Sequence, residues 1–298
     1  MSAPRVVVVA KRSAYSRYVQ EEGDPRARAL LRRRDPSVSR WMEAHKAHTR
    51  TLEEVDRILD RLGARAVLVN DARATFDTAD ARLVIAVGGD GTLLAASHNV
   101  GSVPILGVNS APRHSVGFFC AASRQGLASM LEQALEGRAK SILLTRMAVA
   151  VNGRVRSRRV LNEALYCHTS PAATSRYILR HRRLREEQRS SGFWIGPAAG
   201  STAAQRSAGG KVLPLGSKKL QLVVREPYAP FNRRYRLLRV LVDPGTRVLA
   251  QSQMQEACMF LDGPYKVINV RLGDETEFRA SDEPLRVLGL GPRRHRVD

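Results

Sequence analysis

Three cysteines in 298 residues, Cys120, Cys167 and Cys258, stand far apart with no Cys-x-x-Cys pair. That spacing excludes a disulfide-framed domain and a cysteine zinc site, and it fits a reducing compartment. Aromatic residues are sparse as well, at 5% of the chain, so there are few rings on which unpaired bases could stack. No apolar run approaches the roughly 20 residues a bilayer crossing needs, so no membrane association is expected. The opening MSAPRVVVVAKRS lacks the long apolar stretch and cleavage site of a signal peptide, and a cytoplasmic location is the expectation. Neither G-x-G-x-x-G nor G-x-x-x-x-G-K-[ST] occurs, which removes the main sequence support for ordinary Rossmann binding and for P-loop hydrolysis. Acidic residues are few: 28 Asp+Glu against 49 Lys+Arg, a formal net charge of +21. Arginine clusters at 26–34, 179–189 and 292–297 carry much of that excess. With no helix-turn-helix, zinc-finger or RNA-binding signature beside them, nucleic acid is not the expected partner. A basic surface that draws in phosphorylated small molecules fits equally well.

What the chain does contain changes character near its middle. Short continuous apolar runs at 6–10, 66–70, 83–87 and 103–109 predict buried parallel strands. Between the first two, residues 41–63 predict a helix with Leu52, Val55, Ile58, Leu59 and Leu62 on one face and Gly63 closing it; a further helix over 123–137 ends on Gly137. This alternation predicts an open α/β sheet with right-handed crossovers. From Ser141 the period drops to two. Asn152-Gly153 marks a hairpin, and strands are expected at 219–228, 233–242, 257–272 and 283–290, so the second half reads as all-β. Segments 20–39 and 181–189 are polar and expected to be flexible. His45 and His48 have the spacing of a metal pair, but with no third ligand nearby they are expected on a solvated helix face, and no protein-held metal is expected.

The stretch LVIAVGGDGTLL at 83–94 sets Gly88, Gly89 and Gly91 in the turn between a buried strand and a helix. That is the C-terminal edge of the sheet, where open α/β sheets bind ligands. Residues without Cβ let backbone N–H groups approach a phosphate, and the helix N-terminus adds partial positive charge. Asp90 among such amides is repelled by phosphate unless it acts on a metal ion or a hydroxyl proton. An aspartate ahead of a helix is also a common N-cap, so both readings stand at this point. A second glycine-rich run, GPAAGSTAAQRSAGG at 196–210, would let a flat ligand lie against backbone, with Ser201, Thr202 and Ser207 as hydrogen-bonding points.

Taken in order, GGDGTLL, GVN (107–109), GFF (117–119), LNEA (161–164), GSTA (200–203) and SAGG (207–210) resemble the NAD kinase family. GVNSAP, SPAATSRY (170–177) and LQLVVREPYAP (220–230) are similar to its NADH kinase branch. GGDGT by itself is shared with lipid kinases, which remain an alternative, as does a non-catalytic basic nucleotide-binding protein. The resemblance implies an N-terminal Rossmann-like α/β domain over 1–140, a β-sandwich domain over 141–284, and a C-terminal segment, 285–298, returning to the first domain. It implies transfer of the γ-phosphoryl group of ATP, carried with Mg2+, to the 2′-hydroxyl of the adenosine ribose of NADH or NAD, in a dimer or tetramer. Asp90 is then the candidate general base, and Gly88, Gly89, Gly91 and Thr92 shape the phosphate turn. Asn162 and Glu163 match the pair that contacts adenine and ribose, while Ser201, Thr202, Ala203 and Ser207 line the dinucleotide. Departures are also visible: Ala204 stands where a tyrosine is usual, Ala198-Ala199 replace threonine-proline, and Ser191 stands where an aspartate is common. Asp262-Gly263 lies where the family carries an Asp-Gly pair and also reads as a turn. Losing a carboxylate near the nicotinamide should weaken any preference for its oxidised, cationic form.

Overall fold

A computed structural model describes residues 3–229 and 234–291. The arginine cluster at 292–297, the end of the segment 285–298, the last residue of the 220–230 motif and the first of the expected strand 233–242 lie outside the described residues. Tertiary contacts divide the chain into two compact units, Met1–Ile142 with Arg286–Gly291, and Leu143–Leu285.

The first unit runs β1 (Arg5–Ala10), α1 (Pro25–Arg32), α2 (Trp41–Arg61), β2 (Arg65–Val69), β3 (Ala81–Gly88), α3 (Asp90–Ser97), β4 (Ile105–Asn109), α4 (Leu127–Leu135) and β5 (Ser141–Leu144). β1 pairs in parallel with β2 and β3, and β3 with β4. The inner strands are covered on both faces, which is why they read as unbroken apolar runs rather than alternating ones. α2 and α4 bury Val55, Ile58, Leu59, Leu127 and Leu131 against Val6, Val8, Leu83, Ile85, Leu106 and Val108. Segment 20–39, expected to be flexible, carries capped helical structure instead. Asp24 caps α1 by accepting from the Arg26 N–H, and Asp35 does the same for Ser37 ahead of a short 3-10 turn at Pro36–Val38. The repeated Asp-Pro was the signal: a capping acid followed by a residue preset for the first helical position.

The second unit contains β6 (Met147–Val151), β7 (Arg154–Val160), β8 (Ala164–His168), β9 (Ser175–His181), β10 (Leu184–Ser190), β11 (Phe193–Pro197), α5 (Ala204–Ser207), β12 (Leu220–Val224), β13 (Arg239–Val242), β14 (Arg247–Ser252), β15 (Ala257–Leu261), β16 (Lys266–Val270) and β17 (Glu275–Ala280). Two six-stranded antiparallel sheets, ordered β10-β9-β14-β17-β6-β7 and β13-β12-β11-β8-β15-β16, enclose one core. Phe193 stacks on Tyr166 at 5.0 Å and meets Tyr177 and Phe278 edge-on, joining the two sheets. Segment 181–189 is another correction: it is a hairpin in which Leu184 pairs with His181, turning at Arg182, whose φ is +55°. Only one side of β10 faces inward, and buried Gln188 stands where an apolar residue would have announced a strand. The stretch 257–272 is two strands folded back at Asp262-Gly263, in keeping with the turn read there. After β17, β18 (Leu285–Leu288) pairs in parallel with β4, completing a first sheet ordered β2-β1-β3-β4-β18-β5.

Candidate functional site

β3 ends at Gly88 and α3 begins at Asp90, with Gly89 as its N-cap. A Cβ on Gly88 would fall 2.1 Å from Thr92 Oγ1, and one on Gly89 would fall 2.3 Å from Ser115 Oγ. These two glycines therefore let the turn close on its own neighbours. Thr92 is buried, and its hydroxyl accepts from the Gly89 N–H at 3.4 Å, so it caps the helix. Gly91 is exposed, with no atom near its missing Cβ, and it offers open backbone. The structure decides against Asp90 as the cap: its Oδ1 accepts from the Phe119 N–H at 2.7 Å. That bond draws GFF to the turn and orients the carboxylate. Burial, with the charge of Asp90 adding, pushes the Cys120 thiol up to about 12, so it stays protonated and inert.

Beside Gly91 and Thr92 lies a cavity of about 360 Å3 whose other walls are Lys11, Arg12, Arg17, Asp71, Ala72, Arg73 and Ala95. It opens where the strand order β2-β1-β3 reverses direction, the expected ligand position in a doubly wound sheet. Burial lowers the Lys11 ammonium from its usual range, and an incoming anion would compensate that lost solvation. Lys11, Arg17 and Arg73 were not expected from motifs. Their one sequence signal is Lys11-Arg12 placed directly after the first buried strand. His48 corrects another expectation: it is 4% exposed, bonded through Nδ1 to Ser110 Oγ at 2.9 Å, and burial lowers its pKa to about 4. His45 pairs with Ser13 Oγ at 2.9 Å. Both histidines face neighbours because that stretch of α2 packs over the ends of β1 and β4.

In the second unit, Asn162 and Glu163 form the turn between β7 and β8. The Asp262 carboxylate holds that turn, accepting from the N–H groups of Leu161 (3.0 Å), Asn162 (2.6 Å) and Glu163 (3.2 Å). Asp262 in turn donates its own N–H to the Glu163 carbonyl at 2.9 Å. Gly200 sits so tightly that a Cβ there would lie 1.8 Å from the Asn162 carbonyl, and Gln205 Nε2 donates to the same oxygen at 3.3 Å. Glu163 is 6% exposed, and its Oε2 has no hydrogen-bond partner. Burial first, and the Asp262 charge second, raise its pKa to about 8. The carboxyl is therefore largely protonated at neutral pH and presents a donor. Its folded pKa exceeds its unfolded one, so its stabilising contribution is complete below about pH 4.5 and is lost as pH rises through about 8. Tm of the wild type should therefore fall between about pH 5 and 8, and Glu163→Gln, which cannot ionise, should show a flatter fall; an equal slope in both would exclude Glu163 as its source.

The structure gathers Asn162, Glu163, Gly200 and Asp262, and it separates other expected residues from them. Ser201 is fully buried: its Oγ donates to the Ala198 carbonyl at 2.8 Å and accepts from the Leu213 N–H at 2.9 Å. It braces the loop, while Ala203 and Ser207 are exposed and Thr202 and Ala204 half-buried. Ser191 lies at the opposite end of β11 from this loop, roughly 20 Å away at 3.3 Å per strand residue. Its peptide is tied instead to Arg225, by bonds of 3.1 and 3.4 Å. Asp262 and Gln205 are the residues that motif reading underrated.

Among the described residues, no helix is long and apolar enough to cross a membrane, and no group of three or more His, Cys, Asp or Glu residues is placed to hold a metal ion. Residues 3–139 match the family described as ATP-NAD kinase N-terminal domain. A probable NADH kinase of Oryza sativa subsp. japonica is 34% identical, over 86% of this chain and 85% of that protein. An NADH kinase of Arabidopsis thaliana is 32% identical over 85% and 86%, and an NAD kinase of Methanothermobacter thermautotrophicus 29% over 71% and 72%. The crystal structure of an NAD kinase from Archaeoglobus fulgidus in complex with ATP superposes with a TM-score of 0.68, covering 98% of this chain and 94% of that one at 20% identity.

Proposed function

This chain belongs to the ATP-NAD kinase family and is an ATP-dependent NAD(H) kinase, and from that premise we propose which of its groups carry out the transfer. Asp90 is the general base. The observation that carries this is its carboxylate, oriented by the Phe119 N–H and borne on the residue next to Gly91, which lines a cationic cavity. The cavity receives the donor phosphates, with Lys11, Arg12, Arg17 and Arg73 offsetting their charge and the open Gly91 backbone approaching them. Asn162 and Glu163 hold the adenosine of the acceptor, Glu163 as a protonated donor, with Thr202, Ala203 and Ser207 along the same loop.

Transfer then needs positioning and charge neutralisation more than covalent help. Asp90 takes the proton of the ribose 2′-hydroxyl as that oxygen bonds to the γ-phosphorus. The bond from the γ-phosphorus to the bridging oxygen breaks, and ADP leaves. The donor set fits magnesium carried by the nucleotide: one carboxylate, Asp71, rather than a cage lines the cavity, and Mg2+ is commonly held by substrate phosphates with one or two carboxylates. Bound there, it would supply charge neutralisation at those phosphates.

NADH is the favoured acceptor in this reading, supported by the two plant relatives, one named a probable NADH kinase and the other an NADH kinase. Steady-state assays of the purified chain with ATP and each redox form should give a higher kcat/KM for NADH. Equal specificity constants would overturn the preference and leave the kinase assignment intact.

A further inference from the structure

The segment Ala111-Pro112-Arg113-His114, which departs from the family's usual N-x-G-x-L-G-F run, builds part of a second cavity in the first unit, of about 520 Å3. Lys46 and Arg50 of α2, Arg113, and Arg124 ahead of α4 line it. Glu43, Lys46 and Arg50 are spaced i, i+3 and i+7, which places them on one face of the helix. Glu43 is the one carboxylate among the lining residues described, set against four fixed cations. It lies 3.7 Å from Arg113 Nη1 and 3.6 Å from His114 Nε2, beyond hydrogen-bond reach. Both ring nitrogens of His114 are buried without a hydrogen-bond partner. The wall that carries this ring is held in place: the Ser110 N–H donates to the Gly88 carbonyl at 2.9 Å, and Asn109 Nδ2 donates to the Ser115 carbonyl at 2.9 Å. A fixed wall lowers the cost of ordering a ligand.

This cavity is not the one beside Gly91. α2 and α4 cover the sheet face that carries Val6, Val8, Leu83, Ile85, Leu106 and Val108. Leu93 of α3 packs at Gly107, between Leu106 and Val108 and so on the opposite face. A triphosphate held on the α3 face therefore leaves this cavity unfilled. We propose that the α2/α4-face cavity is a second anion site, which takes a diphosphate-bearing small molecule distinct from both the phosphoryl donor and the dinucleotide acceptor. Four cations, partly offset by one carboxylate, match the charge of a diphosphate, and the arginine forks suit its oxygens.

The test is calorimetric titration of inorganic pyrophosphate into the intact protein, comparing wild type with the double variant Arg50→Ala/Arg124→Ala. Both side chains are exposed, and neither has a role in the transfer proposed above. Wild type should bind one equivalent more than the variant, in a step that saturating ATP or NADH does not displace, while both KM values stay within about twofold. Equal stoichiometry would overturn the proposal. So would displacement of the extra equivalent by either substrate, or a rise of about tenfold in either KM, since the cavity would then be a subsite of that substrate. The stoichiometry is read without turnover, so a chain that failed to phosphorylate NADH would sink the kinase assignment and leave this result standing.

Discussion

Asp90→Asn should lower the rate of NADP(H) formation by about a hundred- to ten-thousand-fold, the usual contribution of a positioned general base, while ATP and NADH still bind. Asparagine keeps the size of the side chain, and its carbonyl oxygen can still accept from the Phe119 N–H now bonded to Oδ1 at 2.7 Å. The turn and the GFF segment therefore stay in place. What is lost is an oxygen able to take the ribose hydroxyl proton. Turnover measured beside calorimetric affinities for both substrates separates the outcomes, because a binding protein would be indifferent to the change. Activity within about threefold of wild type would remove Asp90 from the chemistry.

The second large effect is expected at a residue that touches no reacting atom. Asp262→Ala leaves three N–H groups, those of Leu161, Asn162 and Glu163, without their acceptor. Buried donors stripped of a charged partner cost about 1–3 kcal/mol each when nothing replaces it. Partial relaxation of the turn should hold the total to about 3 kcal/mol, or roughly 10 °C in Tm. The turn carries Asn162 and Glu163, so KM for the dinucleotide should rise several times more than KM for ATP; a general loss of structure would move both together. Asp262→Asn should recover part of the stability, since one amide oxygen can still serve Asn162 and Glu163. It also removes the charge that helps raise the Glu163 pKa, so that carboxyl should ionise at lower pH. A Tm within about 1 °C of wild type for Asp262→Ala would show that the turn holds itself.

Both residues illustrate how far motif reading reaches. Asp90 was visible because its setting is local: a buried strand, glycines and a helix start within a dozen residues. Whether it capped the helix was not visible, because the partner that takes up its carboxylate instead, Phe119, lies 29 positions away. Asp262 read as a turn residue, and its work is done on backbone about a hundred positions upstream. Ser191 and Ser201 have surroundings that motif reading did not anticipate. Each sits in a stretch that looks like a binding motif, yet one is carried to the far end of β11 and the other spends its hydroxyl inside its own loop. The segments 20–39 and 181–189 were misread because polar composition masked ordered chain, the first held by aspartate caps and the second by a half-buried hairpin.

The sequence by itself determined the α/β half, the β half and the glycine turn that carries Asp90. Apolar period, capping residues and turn chemistry act over a few bonds, and each leaves its own mark in the order of residues. Tertiary structure alone decided that Asp90 bonds the Phe119 N–H rather than capping α3, and that Asp262 braces the turn at 161–163. It also collected Lys11, Arg17 and Arg73 around one cavity and Lys46, Arg50 and Arg124 around another. Those outcomes depend on which strand ends and helix faces meet, and a hydrogen bond or a field of charges depends on distance in space, which separation along the chain does not encode.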